Sequence, residues 1–167
     1  MLSLPISLLA LFIAVLPSLI RALPTVSDIN SNQTALHTFY VNKHNDYRAR
    51  HGVPPLEFDV NLVNYAYEHA SRCRFEHSNG PFGENLALGY SSLDSAINDW
   101  YREIRNYNYG NPGFAMNTGH FTQVIWRNSR RIGCAVVNCG QGPLLTCEYD
   151  PPGNYLGMFR DNVPPAF

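Results

Sequence analysis

The spacing of apolar residues changes character along this chain, and each change predicts an element. Leu2 to Ile20 is almost unbroken Leu, Ile, Ala, Phe and Val, with no charge before Arg21; that is the apolar region of an export leader. Pro5 and Pro17 disfavour a spanning helix, and Ala22 supplies the small residue that precedes leader cleavage. Residues 1–22 are therefore assigned as a signal peptide. Residues 23–33 contain Pro, Ser and Asn and read as an N-terminal tether. From Thr34 the period becomes helical: Leu36, Tyr40, His44, Tyr47 and His51 share one face, and Gly52 with Pro54-Pro55 ends the helix. Asp59 is placed to cap a second helix, whose Val60, Leu62, Val63, Ala66, Tyr67 and Ala70 form a stripe running to about Cys73. Ser92 or Asp94 begins a third, carrying Leu93, Ile97, Trp100 and Ile104 and ending near Asn106. A short helix is expected at about 118–126.

The period then shifts to two. IGCAVVNC at 132–139 and LLTCEY at 144–149 flank the turn-forming Gly140-Gln141-Gly142-Pro143, which predicts a hairpin. Helices first and strands last give an α+β domain with helices packed on a small antiparallel sheet.

Length and charge narrow the picture. Of 167 residues, 145 remain without the leader, the size of a single domain with a real core. Twelve basic residues stand against 13 acidic ones, with Lys43 the single lysine; a nucleic-acid binder needs clustered positive charge, so that class is excluded. No second stretch is long and apolar enough to span a bilayer, so no stable membrane insertion is expected after leader removal. A monomeric secreted protein is the expectation.

Cysteines add a constraint. Four cysteines in an exported chain are expected to pair. If the hairpin turn centres on Gly140-Gln141, residues whose numbers add to 281 face each other, which favours Cys134–Cys147 and leaves Cys73–Cys139. His44 and His51 lie seven apart on one helix face with no acidic or sulfur ligand grouped with them, so packing roles are expected. Asn32-Gln33-Thr34 is an acceptor pattern for N-glycosylation at Asn32.

Four segments, in order, resemble one family: HSNGPFGENLA at 77–87, WYREIRNYNY at 100–109, GHFTQVIWRNS at 119–129 and CEYDPPGNYLG at 147–157. They are similar to the signature segments of the CAP superfamily, the cysteine-rich secretory, antigen five and pathogenesis-related group one proteins. The resemblance covers nearly all of residues 36–160 and assigns residues 34–163 as the CAP domain, with 164–167 as a C-terminal tail. It implies a three-layer α-β-α sandwich and the same two disulfides. The third bridge of plant members is missing here, since Asn111 to Gly119 holds no cysteine, and that loop is expected to be more pliable.

The resemblance also implies a tetrad of His77 and His120 with Glu84 and Glu103. Two neutral imidazoles suit a divalent ion such as zinc, and two carboxylates can fix their tautomers. With no third firm ligand, occupancy is expected to be weak and pH-dependent, and no metal is expected to be needed for folding. A second implication concerns Tyr107, Tyr109 and Phe114, whose first, third and eighth spacing matches the caveolin-binding pattern that forms a sterol-capturing loop in yeast relatives. A Gly/Pro-rich segment with three aromatics suits a flap over a ring system. Relatives also hold a fatty acid between two long helices, here the first and third.

The resulting expectation is a secreted lipid-binding protein for sterols, and secondarily fatty acids, in export, sequestration, defence or virulence. The alternatives are a zinc-dependent or serine-type protease using Glu84, Glu103 and Ser78, and a precursor releasing a C-terminal signalling peptide from Pro151. The chain lacks both H-E-x-x-H and G-x-S-x-G, which weakens the protease reading. CEYDPPGNY is expected to form a sheet edge and turn.

Overall fold

The computed structural model describes residues 26–167, with side chains from Gln33 onward. The leader assignment and the glycan acceptor side chain of Asn32 lie outside what is described. The element order is α1 (Val26–Arg50), β1 (Glu57–Phe58), α2 (Val60–Ala70), β2 (Gly83–Leu88), α3 (Leu93–Arg102), a 3₁₀ turn (Glu103–Asn106), α4 (Gly119–Val124), β3 (Arg131–Cys139), β4 (Gly142–Asp150) and α5 (Phe159–Asn162).

Local signals explain the helices. Asp59 caps α2 by accepting from the Asn61 N–H, and Ser92 caps α3 by accepting from the Ser95 N–H. Helix α1 begins at Val26, so residues 26–33 are helical where a tether was expected.

The sheet has the order β1-β3-β4-β2. β3 and β4 pair antiparallel in the register the turn arithmetic requires, with Cys134 opposite Cys147 and Cys139 opposite Gly142. Both disulfides form as expected, Cys134–Cys147 across the hairpin and Cys73–Cys139 tying the end of α2 to the end of β3. One expectation is overturned: CEYD is not a sheet edge. β2 pairs antiparallel with β4 on its other side, so β4 is interior and its Thr146 to Tyr149 are all buried.

Alternation along the strands separates two faces. Gly133 faces α2, where a Cβ would meet Leu62 and Val63 at 2.3–2.6 Å, so only glycine lets helix and sheet approach this closely. On the other face Cys134, Cys147 and Tyr149 join Tyr40, Trp100, Phe121 and Trp126 in the main core, which α1, α3 and α4 cover. This is the expected three-layer arrangement.

Arg48 locks the large layer. It is fully buried, and its guanidinium donates to the carbonyls of Pro54, Val124, Trp126 and Ser129 at 2.7–3.0 Å. One side chain on α1 thus closes carbonyls at the end of α4 and in the turn before β3. α1 and α3 are also bolted face to face: Tyr47 stacks on Tyr101 at 3.8 Å, Tyr47 donates to Asn98, and Lys43 pairs with Asp94 at 2.7 Å. The C-terminal segment is knit into the same layer. Phe159 and Val163 are core residues, the Pro164 carbonyl sits 2.7 Å from His51 Nδ1, and the Phe167 N–H donates to Arg50 O, so residues 164–167 are tied back to α1.

Replacing Arg48 with Met leaves four carbonyls without their donors. The expected loss of unfolding free energy is about 3–5 kcal/mol, read from the denaturant midpoint at unchanged slope. A loss under about 1 kcal/mol would show that the carbonyls find other partners.

Candidate functional site

The first half of the site is organised by Glu84 on β2. Its carboxylate is buried, and Oε1 accepts from His77 Nδ1 at 2.7 Å and from the Ser78 N–H at 3.0 Å. Burial alone would raise its pKa, but the hydrogen bonds from His77 and the Ser78 N–H outweigh it and hold Glu84 well below the usual carboxylate range. The carboxylate in turn raises His77, whose ring is mostly exposed.

Directly opposite Glu84 in the register is Glu148 on β4, fully buried. Burial, then the neighbouring Glu84, push its pKa up, so Glu148 keeps its proton at neutral pH; among the described residues neither of its carboxyl oxygens, nor Glu84 Oε2, has a hydrogen-bond partner. His69 on α2 closes the group, with Nε2 3.7 Å from that same oxygen and 2.7 Å from the Glu76 carbonyl.

The second half is organised by Glu103, the first residue of the 3₁₀ turn. Its Oε1 lies 2.7 Å from His120 Nδ1, and its Oε2 accepts the N–H groups of His120 and Phe121. The His120 ring stacks on Trp100, with centroids 5.9 Å apart. A cleft of about 350 Å³ opens beside it, walled by Phe75, Leu88, Tyr90 and Trp100 among others; His77 and Glu84 are not among its walls. Within the tetrad, His77 is held by Glu84 and His120 by Glu103.

A link between the pairs runs through β2. Asn85, the neighbour of Glu84, points to the opposite face and donates to the His120 carbonyl at 3.1 Å and to the Tyr149 hydroxyl at 3.3 Å. That hydroxyl lies 2.8 Å from His44 Nε2. Burial lowers His44 to about 4, so it is neutral at physiological pH. His44 and His51 both serve packing and hydrogen bonding in the interior.

For a metal, the donor set fits only in part. Each Nδ1 is held by a carboxylate, which directs Nε2 outward as in carboxylate–histidine–zinc arrangements. Among the described residues no group of three or more His, Cys, Asp and Glu is placed to hold an ion. Two imidazoles are what the chain offers. Ser78 is no better prepared as a nucleophile: its Oγ accepts from the Gly80 N–H, and no imidazole is hydrogen-bonded to it.

The aromatic loop lies beside the second pair. Tyr107 is buried and packs edge-on against Tyr109 at 4.9 Å and Phe121 at 5.7 Å, while Phe114 is about half exposed over Gly119. Burial raises Tyr107 and pushes Tyr109 up to about 12. Both phenol oxygens are buried without a hydrogen-bond partner. Asn108 Oδ1 accepts from the Gly110 and Asn111 N–H groups, and the hydrogen bonds of residues 108–114 all run within the loop. Aromatic packing holds it to the domain.

Residues 41–149 match the sequence profile of CAP, the cysteine-rich secretory protein family. The chain belongs to this family. It is 46% identical over 126 residues to "Pathogenesis-related protein 1" of Arabidopsis thaliana, covering 71% of this chain and 78% of that one. It is 44% identical over 135 residues to "Protein PRY2" of Saccharomyces cerevisiae, covering 77% of this chain but only 41% of the yeast protein. Among solved structures, Schistosoma mansoni venom allergen-like protein 4 superposes with a TM-score of 0.64 at 27% identity, over 78% of this chain and 94% of that one.

Within this CAP chain, the first signature segment supplies His77 and Glu84, the second Glu103, the third His120, and the fourth Glu148 and Tyr149, which meet β2. Glu148, His69 and Asn85 were not singled out by sequence. A signal was present for Glu148, an acid at an inward position in the apolar run LLTCEY, but its partner became visible only once β2 paired with β4.

His77 titrates above its usual pKa because of Glu84, so this pair contributes stability below about pH 6.5 that is lost as pH rises through the folded value. In Glu84→Gln the His77 ring midpoint, followed by NMR, is expected to fall back toward 6.5. An unmoved midpoint would show that Glu84 does not govern this imidazole.

Proposed function

We propose that this CAP protein is secreted and binds sterols at the Tyr107–Phe114 loop, in a defence or host–microbe setting, for sequestration or export. The observation that carries the reading is the pair of buried, unpartnered hydroxyls of Tyr107 and Tyr109. Buried polar groups without partners are costly, and a sterol hydroxyl delivered among apolar rings would satisfy them. Residues 108–114 are fastened to the domain by edge-to-face ring contacts, Tyr109 on Tyr107 and Tyr107 on Phe121, with no hydrogen bond leaving the segment among the described residues. Its resemblance to the sterol loop of yeast relatives supports the same assignment.

Fatty-acid binding between α1 and α3 is less well supported, since Tyr47, Tyr101, Lys43 and Asp94 occupy that interface. Release of a peptide from Pro151 would strip Phe159 and Val163 from the core. A weakly held zinc on His77 and His120 remains part of the proposal, the imidazoles acting as its ligands and Glu84 and Glu103 as orienting groups.

Titration with radiolabelled cholesterol or ergosterol is expected to give saturable binding that weakens about ten-fold or more when Tyr107, Tyr109 and Phe114 are replaced by polar residues. Non-saturable binding, or saturable binding unchanged in the triple variant, refutes the loop assignment. For zinc, calorimetry at neutral pH is expected to show weak heat that disappears in the His77→Ala, His120→Ala double variant; heat unchanged by the two substitutions removes the imidazole site.

A further inference from the structure

Half of the large apolar side chains left exposed among the described residues belong to two loops, while Phe58, Val60, Tyr67, Phe75 and Phe167 lie elsewhere. Met116 is 86% exposed and Leu156 83%, and Phe114, Tyr155 and Met158 are each about half exposed. These residues come from two loops far apart in sequence, and the loops meet at Gly119. Phe114 lies against Gly119, where a Cβ would sit 3.0 Å from its ring. Asn154 reaches the same point from the other loop, donating to the Gly119 carbonyl at 3.0 Å while its Oδ1 accepts from Thr122 Oγ1 at 2.6 Å.

Each loop ends in a built turn that lifts its apolar residue outward. The Thr118 N–H donates to Ala115 O, which puts Met116 at the first corner of one turn. The Met158 N–H donates to Tyr155 O, which puts Leu156 at the same corner of the other. Gly157 follows Leu156 with φ +82°, the left-handed position that a type II turn gives to glycine. Such tips are convex and preformed. A protein partner takes a flat or grooved surface with a buried anchor, whereas convex apolar tips with an aromatic flank suit insertion among lipid headgroups.

Charge points the same way. No Asp or Glu occurs between Glu103 and Glu148, a stretch carrying Arg105, Arg127, Arg130 and Arg131. Arg105 and Arg160 border the two loops in sequence, are exposed, and enter no ion pair among the described residues. Asp161 is the single acid after Asp150. Arg105 and Arg160, one beside each loop in sequence, complement an anionic lipid surface.

We propose that the paired tips at Met116 and Leu156 dock this protein reversibly on a bilayer surface containing anionic phospholipid. Docking there brings Phe114, which belongs to the proposed sterol loop, against the membrane. The proposal extends the sterol reading but stands on different residues. The attachment proposed is peripheral; no helix among the described residues is long and apolar enough to cross a membrane.

The test is co-sedimentation of the protein, secreted from an expression host, with phosphatidylcholine vesicles and with phosphatidylcholine–phosphatidylserine vesicles. The wild type is expected to sediment with the mixed vesicles, less with phosphatidylcholine alone, and less in high salt. Leu156→Asp and Met116→Asp are each expected to reduce partitioning about ten-fold or more, with unchanged circular dichroism. Both variants are expected to keep wild-type affinity for cholesterol supplied from cyclodextrin. A wild type that ignores both vesicles, or variants that sediment as it does, overturns the proposal. So does a vesicle-free dimer that Leu156→Asp returns to monomer, since the patch would then receive a second copy. Loss of cyclodextrin-delivered sterol in the variants overturns it as well, by placing the tips in the sterol site. A wild type that binds mixed vesicles but no cyclodextrin-delivered sterol defeats the sterol reading and leaves docking in place.

Discussion

The pairing of β2 with β4 is the contact on which the rest of this protein depends. It converts β4 from an edge into an interior strand and puts two adjacent β2 residues to work on opposite faces. Glu84 turns toward α2 and meets Glu148, His69 and His77. Asn85 turns toward the main core and meets Tyr149 and the carbonyl of His120. Neither half of the site could keep its geometry if β2 slipped by one residue, because every side chain would then exchange faces. The Cys134–Cys147 bridge fastens β4 to β3 on the far side, and Cys73–Cys139 fastens the segment leading to His77.

That pairing also has a cost in buried polar groups, which explains the protonation pattern. Two carboxyl groups face each other out of contact with water, and both cannot be ionised cheaply. Glu84 is stabilised as the anion by N–H donors from His77 and Ser78, while Glu148 has none and holds its proton. Arg48 is the opposite case, a buried cation met by four carbonyl dipoles. A polar frame of this kind holds the sheet and helices rigid. The aromatic loop differs: ring packing, with the Tyr107 N–H bond to Ile104 O, is what joins it to the rest of the domain.

Much of this was legible in sequence because its causes are local. Asp59 and Ser92 announce their helices, and the Gly140-Gln141 turn sets the hairpin register and with it both disulfides. What escaped has causes that are not local. β1 is two residues long and exists through pairing with β3, and β2 exists through pairing with β4. Arg48 reads as an ordinary basic residue in a last helical turn, since its four acceptors come from distant segments. The tetrad was visible through family resemblance, but which histidine each glutamate holds was not, because side-chain spacing across elements leaves no trace in motif order.

Rigid frame and aromatic loop together make the proposed lipid-binding account specific: the unpartnered hydroxyls of Tyr107 and Tyr109 are where a bound lipid would form its hydrogen bonds. The most direct measurement is mass spectrometry of lipids extracted from the protein as secreted by its natural source. The account predicts a sterol recovered in near-stoichiometric amount, and much less from protein lacking the two tyrosine hydroxyls through Tyr107→Phe and Tyr109→Phe. Recovery of no sterol, or of equal sterol from both proteins, would contradict it.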